Sequence, residues 1–319
     1  MLHVGPLSDA DNLKSFNDRR FDGDEMLMAR TVKFAMDGTP GKFACMFEPY
    51  ADGTSGVPNY HPERLNKVFD QLDEAGLRIY VHAEGDKGIA WVIDAFEYAN
   101  ETGKPLRKDA RHVITHLDHL RQQDIPRMKS LNLIAQVQPI WMGFDGYTKT
   151  VTAKQIGPER LADMHQFTRL RDAGLMIAAG ADWPTGPVIS PWEMIQIGAT
   201  GQELDQADPP RPKPFKVEDL IKQFTINGAF LMFRERLTGS IEVGKRADLI
   251  VVNQNILKIP ASEIAKTRVL LTVFNGAAVY GATNFKNTPP LSKPVSFHSQ
   301  DCVFCGAFPP AGLWRVNNE

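Results

Sequence analysis

The sequence predicts an α/β fold built on parallel strands. Short β-branched runs alternate with longer stretches of helical period between residues 31 and 233. Several of those runs end in polar side chains instead of apolar ones. The chain has 319 residues, 43% of them apolar, enough for one large globular domain with an appendage or two modest domains.

Taken in order, the first strand is residues 31–36, closed by Asp37-Gly38 and followed by a loop rich in Gly, Pro and Asp. A helix comes next, with Leu65, Val68, Phe69 and Leu72 on one face at the i, i+3, i+4, i+7 spacing. Pro62 suits its first turn and Gly76 its C′ position. Strand two is residues 77–82, backed by a helix marked by Ile89, Val92, Ile93 and Phe96. Strands three and four are residues 112–115 and 133–138. A helix carrying Leu161, Met164 and Leu170, ended by Gly174, leads to strand five at 175–179. Ser190-Pro191-Trp192-Glu193 has capping-box spacing, and a last long helix is expected over 217–233.

After Gly239 the pattern changes. Residues 240–245 read as a strand and turn, 247–252 as a strand, and 269–273 with Asn275-Gly276 as a hairpin into 277–280. Residues 1–238 are therefore assigned to the α/β unit, 239–285 to a small β appendage and 286–319 to an irregular tail with repeated prolines.

Composition excludes several classes. Lys and Arg number 36 against 38 Asp and Glu, a net charge of −2, so there is no basic footprint for nucleic acid. No apolar run approaches the roughly 18 residues of a membrane span. Three cysteines, Cys45, Cys302 and Cys305, do not make a disulfide framework, which points to a reducing compartment. The first residues show neither a basic n-region nor an apolar h-region, and a cytoplasmic location is expected. Cys302 and Cys305 have metal-pair spacing but no second pair, so they read as structural.

The chemistry lies at the strand ends. His82 ends one strand and is followed by Ala83-Glu84-Gly85-Asp86; His116 ends the next; Asp182 follows Ala178-Ala179-Gly180-Ala181; Lys33 lies inside the first strand. In a parallel α/β barrel the C-terminal strand ends share the ligand-binding face. Two imidazoles and a carboxylate there suit a borderline-hard cation such as zinc. Taken singly, a strand-end histidine is more often a hydrogen-bonded structural residue, and a strand lysine often snorkels at an edge. Together, the two histidines and Asp182 favour the site. His112 and His119 read as supporting or surface residues and His61 as part of a helix cap, while His3, His165 and His298 carry no signal.

These residues resemble a known family. The run Val81-His82-Ala83-Glu84-Gly85-Asp86, then Arg111-His112-Val113-Ile114-Thr115-His116, then Gly180-Ala181-Asp182-Trp183-Pro184 is similar to the metal-dependent amidohydrolase superfamily. Val32-Lys33-Phe34 with Asp37-Gly38, and Phe47-Glu48-Pro49-Tyr50, resemble amidohydrolase family 3, the branch containing N-substituted formamide deformylases. Thr225-Ile226-Asn227-Gly228-Ala229 and the run from Gly239 to Val251 resemble that family's last barrel helix and returning β-sandwich. The resemblance covers roughly residues 30 to 281. It implies a TIM-like (β/α)8 barrel with a β-sandwich and hydrolysis of amide-like, non-peptide carbon–nitrogen bonds by metal-activated water. It implies that His82 and His116 bind one or two divalent ions, zinc first, and that Asp182 binds metal and acts as general base. Lys33 would be a ligand, in some members carboxylated. The substrate would be a small amide-like molecule.

One departure stands out. The family's first barrel strand carries a His-x-His pair, and this chain contains no His-x-His. Only 30 residues precede Thr31, whereas three further strand–helix units need about 90 at roughly 30 each. The five strands thus correspond to the fourth to eighth, a partial barrel with part of the sandwich, as in the C-terminal part of a longer enzyme. Such an open sheet is expected either to aggregate or to pair with a second copy or with an N-terminal segment. The competing expectation is a catalytically inactive fragment, scaffold or partner subunit.

Overall fold

The computed structural model describes residues 2–3, 28–102, 105–183, 185, 189–204 and 213–281. The tail assigned to 286–319, with Cys302, Cys305 and His298, lies outside the described residues, as does Pro184.

Five parallel strands follow one another in chain order: β2 (Thr31–Ala35), β3 (Arg78–Ala83), β4 (Val113–His116), β5 (Ile134–Val137) and β6 (Ile177–Ala179). A two-residue strand, β1 (Leu2–His3), pairs parallel with β2 and makes the sheet six-stranded. Two residues are too few to show a period, so β1 has no counterpart among the strands expected from sequence. Helices α1 (Pro62–Glu74), α2 (Asp86–Thr102) and α3 (Asp124–Ser130) return the chain between strands. Their apolar stripes cover the sheet: Leu65, Phe69 and Leu72 of α1 and Ile89, Val92, Ile93 and Phe96 of α2 pack with Val32, Phe34, Ile79 and Val81. Phe34, Phe69 and Phe96 form a ladder, with ring centroids 5.3 and 4.7 Å apart.

Three sequence expectations are corrected in this half. The helix expected across Leu161, Met164 and Leu170 is two helices, α4 (Ala153–Asp163, itself interrupted at Gly157 with φ 77°) and α5 (Thr168–Asp172). Between them Met164 is extended and His165 has φ 54°, so the i→i−4 ladder stops. Ser190 precedes α6 (Pro191–Thr200) with extended backbone, but its side chain makes no capping bond. The helix expected over 217–233 is likewise split, at Thr225 (φ −121°, ψ −97°), into α7 (Val217–Phe224) and α8 (Ile226–Leu231). Asn227 donates to the Ile177 carbonyl at 2.8 Å and tethers α8 to the sheet.

The sheet's other face, the inside of the expected barrel, is filled near the strand starts by Val113, Ile134, Ala178 and Leu231. Arg78 and Arg111 close that end. Their guanidiniums bond the last carbonyls of α8, at Leu231 and Phe230, and Arg111 also grips Glu235 with two bonds of 2.9 and 2.7 Å.

The C-terminal part forms a three-stranded antiparallel sheet, β7 (Leu249–Val252), β8 (Val269–Phe274) and β9 (Ala277–Tyr280). Asn275 (φ 48°) and Gly276 (φ 82°) supply the two positive φ angles of the expected hairpin turn. Residues 240–245 form no strand. Ser240, Glu242 and Lys245 bond one another within a turn, so the segment satisfies its polar groups locally. The β7–β8 connection packs on α6 through Ile264, and Ala265 N–H donates to Gln196 at 2.8 Å. Among the described residues no helix is long and apolar enough to cross a membrane.

Candidate metal centre

Parallel pairing brings the strand-end residues together. In the β3–β4 register His82 stands opposite Thr115 and Ala83 opposite His116, so the two histidines leave neighbouring strands at the same edge. Their ring centroids are 4.5 Å apart, edge to face. His116 (φ 77°) and Leu117 (φ 61°) take two successive left-handed conformations, which turn the chain sharply at the end of β4. Backbone bonds from Leu117 N–H to Ala83 O (3.1 Å) and from His119 N–H to Glu84 O (3.0 Å) tie this turn to the exit of β3.

Glu84 joins the two histidines. Its Oε1 lies 3.6 Å from His82 Nε2 and 3.9 Å from His116 Nδ1. One ligand atom from each of the three residues falls within 4.8 Å of the others. Sequence reasoning quoted Glu84 in the run after His82 but gave it no role. Its place depends on Asp37, whose carboxylate accepts three backbone N–H groups: Cys45 at 2.8 Å, Glu84 at 3.0 Å and Gly85 at 2.9 Å. That carboxylate ties the loop after β2 to the loop after β3. The signal available is the Asp37-Gly38 stop, which the sequence marks as a strand end and as part of the family resemblance but not as an acceptor for the loop after β3.

Lys33 and Asp182 face the trio electrostatically: Lys33 interacts with His82, Glu84 and His116, and Asp182 with Glu84 and His116. Lys33, on the inner face of β2 opposite Tyr80 in the register, places its Nζ 4.8 Å from the Tyr80 ring centroid. Asp182, with φ 52°, is exposed beyond β6. Below the histidines the inner face carries a polar layer. Tyr80 O–H donates to Gln136 Oε1 at 3.0 Å, Thr115 bonds the same oxygen, and Gln138 Nε2 donates to it at 2.9 Å. Gly180 lies against this layer: a Cβ there would meet Gln136 Nε2 at 2.6 Å and displace that amide.

Burial sets the charge states. It pushes His82 down to about 3, with His116 and Lys33 adding to the effect. Burial also lowers His116, so both rings are neutral near pH 7 with lone pairs to offer. Lys33 is lowered to about 8 by burial, opposed by Asp182 and Glu84. Asp37 is raised to about 6 by burial, against its three hydrogen bonds. Glu84 is raised by burial and then by Asp118, Asp37 and Asp182.

The donor set fits a divalent cation. His82 Nε2 and Glu84 Oε2 are buried without a hydrogen-bond partner, although such atoms are normally paired. Two imidazoles and a carboxylate offer the N and O donors of zinc-class ions.

The other histidines divide. His112 is buried at the opposite end of β4, where its Nδ1 accepts from Ile79 N–H and its Nε2 meets Asp73 Oδ1, each at 3.0 Å; it is structural. His61 occupies the N-cap of α1 without a side-chain capping bond. His119 is buried. His165, which carried no signal in the sequence, is buried with Nε2 3.2 Å from Asp118 Oδ2. Among the aromatic residues, Trp141 and Phe144 pack against core clusters, while Trp183 is 62% exposed.

A family model described as "Amidohydrolase family" matches residues 1–280. Protein LONG AFTER FAR-RED 3 of Arabidopsis thaliana is 29% identical over 262 residues, covering 80% of this chain and 44% of that protein. N-substituted formamide deformylase of Arthrobacter pascens is 22% identical over 231 residues, covering 72% of this chain and 41% of the enzyme. The crystal structure of an uncharacterized metal-dependent hydrolase from Pyrococcus furiosus superimposes with a TM-score of 0.63 at 26% identity, covering 78% of this chain and 49% of that one. The chain spans less than half the length of each of these proteins.

Proposed function

The chain belongs to the amidohydrolase family, and we propose that it hydrolyses amide-like, non-peptide carbon–nitrogen bonds in small molecules. The observation that carries the reading is the pair of neutral histidines, His82 and His116, 4.5 Å apart on adjacent strand ends, with His82 Nε2 unpartnered. These two would hold a divalent ion, zinc foremost. Such an ion, when bound, lowers the pKa of its water and polarises the scissile carbonyl.

Hydrolysis needs a proton taken from the attacking water and a proton delivered to the departing nitrogen. Asp182 is proposed for both transfers. Its carboxylate is exposed at the mouth and interacts electrostatically with Lys33, Glu84 and His116. Lys33, lowered to about 8, holds an amine that carbon dioxide would convert to a carbamate, exchanging a cation for an anionic oxygen ligand. The similarity to N-substituted formamide deformylase supports a carbon–nitrogen substrate class.

The test is a panel of formamides, amides, cyclic ureas and esters, assayed with the zinc-reconstituted chain and with Asp182→Asn. Turnover of an amide-like member, reduced about 10²–10⁴-fold in Asp182→Asn with metal retained, is expected. Full activity in that variant would remove Asp182 as the proton carrier. No turnover of any carbon–nitrogen substrate would overturn the reading.

A further inference from the structure

We propose that Glu84 is a metal ligand and that His82, Glu84 and His116 together hold one divalent cation. The inference deepens the metal-centre reading above and rests on it. It is motivated by two buried donor atoms of this cluster, His82 Nε2 and Glu84 Oε2, that no hydrogen bond satisfies.

The distances are those of co-ligands. At 3.6 and 3.9 Å, Glu84 Oε1 is too far from either imidazole nitrogen for a hydrogen bond. Two donor atoms each about 2.1 Å from one tetrahedral ion lie about 3.4 Å apart, close to what is seen. Glu84 is only 5% exposed, and its Oε2 has no hydrogen-bond partner. A buried carboxyl group left this way is unfavourable as the anion unless a cation answers it. His82 Nε2, the nearer nitrogen, is unpartnered as well.

The backbone explains why Glu84 and not Asp37 takes the role. Asp37 also approaches His82 Nε2, at 3.8 Å, but both its oxygens are engaged by backbone N–H groups. Glu84 is held at the main chain, by Asp37 on its N–H and by His119 on its carbonyl, which leaves the side chain free. The next residue locks the junction: a Cβ on Gly85 would sit 2.2 Å from the Cys45 carbonyl oxygen. Two histidines and one carboxylate, with a fourth position open, make the ligand count of catalytic zinc sites.

The experiment titrates the metal-free 319-residue chain with Zn²⁺ by calorimetry and with Co²⁺ by visible absorption. Wild type is compared with Glu84→Gln, and melting of the metal-free forms reports folding. One equivalent is expected for wild type. In Glu84→Gln, affinity falls at least about tenfold, the Co²⁺ bands change, and the metal-free melting temperature is not lowered. If Glu84→Gln does not fold, Glu84→Asp is titrated in its place, with weaker zinc binding expected. Wild-type affinity and an unaltered Co²⁺ spectrum in the folded variant, or no metal bound by wild type, overturn the proposal. Metal held through Glu84 without carbon–nitrogen hydrolysis would instead remove the proposed function and leave the ligand assignment standing.

Discussion

His82 and His116 leave adjacent parallel strands with their rings edge to face at 4.5 Å, and both are held neutral by burial. In water two imidazoles this close would gain little from each other. Here the β3–β4 ladder sets their separation before any ligand arrives, so the ordering cost of a two-histidine site is met during folding.

It follows that each histidine is needed for metal retention. His82→Ala and His116→Ala are each expected to lower zinc content after dialysis from about one equivalent to near zero. Elemental analysis of the purified variants checks this, and undiminished zinc in either would remove that residue from the site.

Gly85 is expected to tolerate no side chain. The Cβ of Gly85→Ala meets the Cys45 carbonyl and amide at 2.2 and 2.5 Å, backbone atoms that yield only if the loop after β2 moves. A loss of about 1–3 kcal/mol or more is expected in urea denaturation, with weakened zinc binding because Glu84 moves too. Wild-type values for both would show that the junction is soft.

The pH dependence of stability has a traceable contributor at His112. Burial lowers its folded pKa, while the unfolded chain protonates near 6.5. Below 6.5 the unfolded state therefore binds the extra proton, and the His112 contribution, fully present above that value, is lost as pH falls. The stability gap between wild type and His112→Asn should shrink between pH 7.5 and 5.5, by at most about 1.4 kcal/mol per pH unit. Denaturation of both proteins at the two pH values measures it, and a constant or widening gap contradicts the assignment.

Lys33 carboxylation should depend on pH in the opposite sense to simple protonation. With its pKa lowered to about 8, the reactive neutral amine rises from about a tenth of the population at pH 7 to a majority at pH 8.5. In ¹³C-bicarbonate with zinc, a carbamate carbon signal is expected to grow over that range and to be missing in Lys33→Arg. If wild type shows no such signal, Lys33 is an unmodified amine over the Tyr80 ring and the carbamate assignment fails.

Much of this molecule was legible one residue at a time. The periodicity of Leu65, Phe69 and Leu72, and of Ile89, Ile93 and Phe96, marks helices that bury one face, and β-branched runs mark the five longer strands of the parallel sheet. His82 and His116 stood out because a polar residue closing an apolar strand is rare enough to notice. Local bonding decided against other expectations: Thr225 and His165 break helices that spacing alone would join, and the Ser240–Glu242–Lys245 turn replaces a strand. Sequence thus determined the parallel α/β class, the helix faces and the strand-end positions of His82 and His116, because those follow from periods of 3.6 and 2 within a segment. Only the tertiary structure placed Glu84 with those histidines and Lys33 against Tyr80. That placement hangs on Asp37 accepting N–H groups from residues 8, 47 and 48 positions away, and contacts of that range leave no local period to read.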